Sequence, residues 1–169
     1  HPIAGSEQSG PAAARADLYQ GKRVVLTPAP DTRSGALATV RALWEAAGAQ
    51  VETLDAVLHD RAFAAVSHLP HLPAVVLVDE LAQRADGDTF FRFAASGFRD
   101  FTRIAGSSPE MWRDIALANR EALLVELDAY LAALQALRSA VSAEDAEALL
   151  AIFSRARAAR ERWMKQQDS

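Results

Sequence analysis

The chain contains no cysteine. That excludes a disulfide framework, a zinc–thiolate site and a thiol nucleophile. It has no basic surplus either: 18 lysines and arginines stand against 22 aspartates and glutamates, a formal net charge of −4. Nucleic-acid binders normally carry the opposite balance, so no nucleic-acid partner is expected. No apolar run reads as a membrane span and no signal peptide opens the chain, so the expectation is a soluble cytoplasmic protein without a membrane partner. There is no initiator methionine. The sequence opens on His1-Pro2, as a piece of a longer protein or a processed chain would. Apolar residues, by contrast, are plentiful. They make up half of the 169 positions, enough for the core of one ordinary domain, or of a small domain joined to part of another.

Residues 1–21 place four glycines or prolines in the first eleven positions and read as a loop followed by a short Ala-rich helix. KRVVLTP, 22–28, is β-branched and stopped by Pro28 and Pro30, which predicts a buried strand. Asp31 or Thr32 is placed to cap a helix over 33–47, with Leu37, Val40, Trp44 and Ala47 on one face and Gly48 ending it. QVETLD, 50–55, alternates and predicts a second strand. Strand, helix, strand is the pattern of a parallel sheet, and two strands alone make a poor one. Helical periodicity then takes over: a helix over about 55–84, short helices through 87–107, and a strong start at Ser108-Pro109-Glu110. Leu123, Leu127, Tyr130, Leu134, Leu137 and Val141 alternate spacings of four and three, a heptad-type seam suited to another helix. Ser142-Ala143-Glu144-Asp145 opens a last helix to about Trp163. Its basic residues Arg155, Arg157, Arg160, Arg162 and Lys165 complement the dipole and read as a solvated face.

Three constellations carry chemistry. SHLPHLP, 67–73, sets His68 and His71 beside Pro70 and Pro73 within a helix, where each proline removes a donor and crowds the preceding turn, at a cost of about 3 kcal/mol. This reads either as a kinked core helix with satisfied histidines or as a polar pocket opened at the interruption. With His59-Asp60 these histidines invite a metal reading, but no carboxylates stand at a spacing that would complete a site, and no metal is expected. Arg99 and Arg103, four apart in GFRDFTRIA, share a helix face, so they can either hold a carboxylate or form surface ion pairs. His1, before proline in a Gly/Ser-rich loop, offers an imidazole whose ordinary pKa of about 6.5 suits a general base. An unstructured terminus is the other reading.

Together HPIAGSEQSG, VSHLPHLPA, GFRDFTRIA and SPEMWRDIALANRE, in that order and spacing, resemble the second half of the prephenate/arogenate dehydrogenases of tyrosine biosynthesis. The resemblance runs over essentially the whole chain and is densest at those motifs. It implies a mainly α fold. Residues 1–54 would be the end of a Rossmann-type dinucleotide-binding domain (loop, short helix, strand, helix, strand), and 55–169 a helical substrate-binding and homodimerisation domain. No GxGxxG phosphate loop is present. The resemblance therefore puts most of the NAD or NADP site in a segment before His1 and implies that this chain alone is inactive. The choice of nicotinamide and the cofactor-binding residues stay open.

The implied reaction is oxidative decarboxylation of prephenate to 4-hydroxyphenylpyruvate, or of arogenate to tyrosine. Hydride leaves the hydroxyl-bearing ring carbon, carbon dioxide departs and the ring becomes aromatic. By resemblance His1 is the catalytic base, Arg103 the substrate-carboxylate arginine and His71 a substrate-positioning histidine. Ser67 and His68 line the same pocket and Trp112 walls it. Ser6 and Glu7 follow the catalytic loop, with Glu7 pairing Arg103 as a gate in the absence of substrate. A serine touching the catalytic histidine belongs to the segment before His1. On this reading the prolines bend the helix so that Ser67, His68 and His71 face substrate instead of apolar neighbours. His71, as a neutral or cationic donor, leans toward prephenate over arogenate, with dual specificity open. A non-catalytic helical dimerisation module is the alternative that the heptad seam alone would support.

Overall fold

A computed structural model describes residues 1–4, 10–11 and 14–167. Two compact units are present, His1–Leu123 and the remainder from Leu124. In the first, β1 (Arg23–Leu26) and β2 (Gln50–Thr53) pair in parallel, Val24 opposite Val51 and Leu26 opposite Thr53. Helix α1 (Ser34–Ala46) joins them. β1 is buried along Val24, Val25 and Leu26, the unbroken apolar run of a strand covered on both faces. Leu37 and Trp44 of α1 pack on it, with Tyr19 edge-on to Trp44, whereas Val40, predicted on the same face, stays exposed. Neither Asp31 nor Thr32 caps α1; the N-cap is Arg33, without a side-chain bond. Gly48 does end the helix, at φ +85°, a left-handed geometry that only glycine adopts without strain.

The first three residues are not loop. His1 and Val25 exchange backbone hydrogen bonds of 2.8 and 2.9 Å, and the Ile3 N–H donates to Arg23 O at 2.8 Å. Between them Pro2 faces Val24 in an antiparallel bridge. In such a ladder bonded and non-bonded pairs alternate, so proline falls where no donor is needed. Residues 16–21 form successive i→i+3 turns, and the Ala-rich stretch of the predicted short helix lies partly outside the described residues.

Asp55 caps α2 (Ala56–Phe63), accepting from the Val57 and Leu58 N–H groups. A π-helical turn (Ala64–His68) and α3 (Leu69–Ala82) follow without a break. The Leu69 N–H reaches back five residues to Ala64 O. The ladder has thus already slipped when the chain meets Pro70, which lies in the first turn of α3 where its missing donor costs little. Only Pro73 is interior. The interruption therefore sits before the prolines, not at them. Because the run is continuous, Ala56–Ala82 is long and apolar enough by length and composition to cross a membrane, which corrects the expectation that no segment reaches that length. Then come α4 (Gly87–Phe93), α5 (Ser96–Thr102), a 3₁₀ turn (Arg103–Gly106) and α6 (Pro109–Ala118). Ser108 caps α6 as predicted, its Oγ accepting from the Met111 N–H.

Helix α7 (Arg120–Ser142) continues into the second unit, which α8 (Ala146–Gln167) completes. Asp145, not Ser142, caps α8, its Oδ1 accepting from the Ala148 N–H at 2.9 Å. Of the predicted seam, Leu127, Tyr130 and Leu137 are half-buried while Leu134 and Val141 are exposed.

Candidate functional site

The edge pairing described above fixes the His1 backbone beside Val25, near the carboxyl end of β1. From there the imidazole reaches α2. His1 Nδ1 lies 2.7 Å from His59 Nε2, and His59 Nδ1 lies 2.8 Å from Asp60 Oδ1. Phe63, one turn beyond His59 on the same helix, packs on both rings, with centroids 4.6 Å from His1 and 4.5 Å from His59. His59 is a residue that sequence reasoning weighed only as a metal ligand. Both its ring nitrogens are engaged, so neither offers a lone pair to a cation. Among the described residues no group of three or more metal-ligating side chains converges.

A second cluster continues from the π turn. His71 Nδ1 lies 2.9 Å from Ser67 O; a carbonyl only accepts, so Nδ1 carries the proton and neutral His71 presents a lone pair at Nε2. The Trp112 ring from α6 stacks on His71, with centroids 3.4 Å apart. The Trp112 indole N–H is buried with no hydrogen-bond partner among the described residues, an uncommon state for a donor. Burial pushes the His71 imidazole below the ordinary histidine range; the Ser67 carbonyl opposes this and the positive charge of Arg103 adds to it. Arg103, exposed at the start of the 3₁₀ turn, is thus within electrostatic reach of His71. Arg99 stays in α5, so the shared helix face predicted for the pair is cut by the change of helix type at Arg103.

His68 links the clusters. Burial pushes its imidazole down, His59 and His71 push it further whenever they are protonated, and Asp60 opposes them. Asn119, at the C-cap of α6, donates from Nδ2 to Asp60 O at 2.8 Å and lies 3.2 Å from His68 Nδ1. Sequence reasoning gave Asn119 no role, although it lies within the SPEMWRDIALANRE motif and closes a helix, as asparagine often does. Ser67 enters through its carbonyl. Ser6 and Glu7, and with them the Glu7–Arg103 gate, lie outside the described residues. His1 lines an open groove of about 330 Å³ with Thr27, Pro28 and Thr32, whereas His71 and Trp112 line an apolar cavity of about 370 Å³ with Val75, Ile104 and Ala116. Both are of a size that holds a small ligand.

Two family profiles match the chain: "Prephenate dehydrogenase, nucleotide-binding domain" over residues 1–53 and "Prephenate dehydrogenase, dimerization domain" over residues 55–155. A cyclohexadienyl dehydrogenase of Zymomonas mobilis is 39% identical over 162 residues, 95% of this chain and 55% of that protein. The crystal structure of the prephenate dehydrogenase of A. aeolicus in complex with hydroxyphenyl propionate and NAD+ superposes with a TM-score of 0.89 at 39% identity, covering 96% of this chain and 57% of that one. That of a Synechocystis arogenate dehydrogenase does so with a TM-score of 0.83 at 31% identity, over 96% of this chain and 60% of the other. The chain spans about half the length of the curated relatives it matches. By profiles that together cover most of its length, and by a fold shared with these enzymes, the chain belongs to the prephenate dehydrogenase family.

Proposed function

We propose that this chain is the substrate-binding part of an NAD(P)-dependent prephenate dehydrogenase, with arogenate or dual specificity as the alternative. The observation that carries the reading is the row of cationic and imidazole groups from His1 through His59, His68 and His71 to Arg103. A bound nicotinamide dinucleotide would supply the hydride acceptor. The groove at the carboxyl end of β1 fits its reactive end, because open parallel sheets bind ligands beyond the carboxyl ends of their strands, and Thr27, Pro28 and Thr32 would hold it there. His1 takes the proton of the substrate hydroxyl, relieving the positive charge that hydride loss builds on carbon. Arg103 holds a carboxylate. Trp112 keeps the His71 ring in place by stacking. Exposed apolar residues on α7 and α8 support a homodimer formed through the helical part.

Within the complete enzyme, His1→Asn should lower kcat by about 10²–10⁴-fold with little change in KM. Arg103→Ala should instead raise KM by roughly tenfold or more while kcat holds. Steady-state assays with prephenate and arogenate, each with NAD+ and NADP+, read both effects. Small, equal losses in the two variants would reject the division of labour.

A further inference from the structure

Two residues beside His1 have no role in that scheme, and their hydrogen bonds decide which His1 nitrogen is basic. Asp60, as a carboxylate, only accepts, so the 2.8 Å contact requires a proton on His59 Nδ1. A His59 ring that carries only that proton presents a lone pair at Nε2. The His1 nitrogen 2.7 Å from that lone pair must donate, so His1 Nδ1 carries its proton. The lone pair of His1 is left on Nε2, the nitrogen free to meet substrate.

We infer that His59 and Asp60 are positioning residues that lock His1 in its Nδ1–H tautomer and stabilise the imidazolium formed when Nε2 takes up the substrate proton. This rests on the reading of His1 as the base. No bond of the relay breaks: the substrate O–H proton moves to His1 Nε2 and stays there, while His1 Nδ1–H, His59 Nε2, His59 Nδ1–H and Asp60 keep their roles. Geometry supports a built arrangement. The His59 side chain is only 16% exposed while Asp60 is 58% exposed, so the charge that orients the pair stays hydrated and the ring it orients does not. Phe63 fixes the planes of both imidazoles, and Asn119 pins the Asp60 backbone from α6.

The chain has four histidines, few enough for long-range proton–nitrogen correlation of 15N-histidine-labelled protein to resolve each ring. At neutral pH the His1 pattern should be that of a protonated Nδ1 and a bare Nε2. In Asp60→Leu no acceptor holds the proton on His59 Nδ1, so the Nδ1–H form of His1 is no longer enforced and its Nε2–H form should grow in. In the complete enzyme that variant should lose about 10²-fold or more in kcat, with KM within about threefold. His59→Phe should lose as much. His59→Gln, whose carbonyl accepts from His1 Nδ1, should recover about tenfold of it. A wild-type His1 already protonated at Nε2, or an Asp60→Leu variant with the tautomer unchanged, overturns the relay. So does a loss that falls on KM instead of kcat. If the wild-type enzyme oxidises neither prephenate nor arogenate, the functional reading fails while the tautomer spectra still decide the relay.

Discussion

At the residue scale, His71 departs most from what its sequence context predicts. The SHLPH motif leads one to expect a neutral or cationic donor, but the Nδ1–H is already donated to the Ser67 carbonyl. The free nitrogen therefore accepts when the ring is neutral and donates only when it is charged. Burial and Arg103 both favour the neutral form before substrate binds. The sign follows. Below its depressed pKa, His71 is a cation suited to the keto acid side chain of prephenate; above it, the lone pair suits the ammonium of arogenate. The arogenate-to-prephenate ratio of kcat/KM, which reports the free enzyme, should rise as pH climbs through the depressed pKa of His71, below the ordinary histidine value of about 6.5. His71→Asn should flatten it. A wild-type ratio independent of pH would show that His71 does not read the side chain.

At the element scale, local signals largely place the helices and strands. β1, α1, β2 and the Ser108 cap fall within a residue or two of expectation, because each is set by a β-branched run, a capping side chain or a terminating glycine. Gly48 tests that logic. Its φ is +85°, and a β-carbon there would overlap the Gln20 side chain. Gly48→Val should destabilise the fold by about 1–2 kcal/mol or more. Gly35, helical and in open space, should tolerate alanine with a gain of about 0.5–1 kcal/mol. Urea midpoints at unchanged slope separate the two. The π turn was not legible. Sequence marks the prolines as trouble but does not say that the backbone solves the problem by slipping its ladder to an i→i−5 bond in the turn just before them, which depends on what the widened turn packs against.

For the whole molecule, the second unit leaves Leu131, Leu134, Leu150 and Phe153 from 42% to 67% exposed. Surfaces of this kind mark association sites, consistent with the proposed homodimer. Leu131→Glu combined with Leu150→Glu should convert dimer to monomer in size-exclusion chromatography with light scattering. Because both positions are already exposed, the circular-dichroism melt should move little. A dimer that survives the pair of charges places the interface elsewhere.

Composition, periodicity and punctuation determined where helices and strands lie, because those signals act over a few neighbouring residues. Four motifs taken together pointed to the family. Which side chains meet was decided only by the tertiary structure. His1 contacts a histidine 58 positions away, and Asn119 joins residues 51 and 59 positions before it. Such contacts arise when an edge segment, a helix with a π turn and a helix C-terminus pack together, and no local pattern encodes the distance between their side chains. The HD dipeptide was visible as a motif; that it turns toward His1 was not.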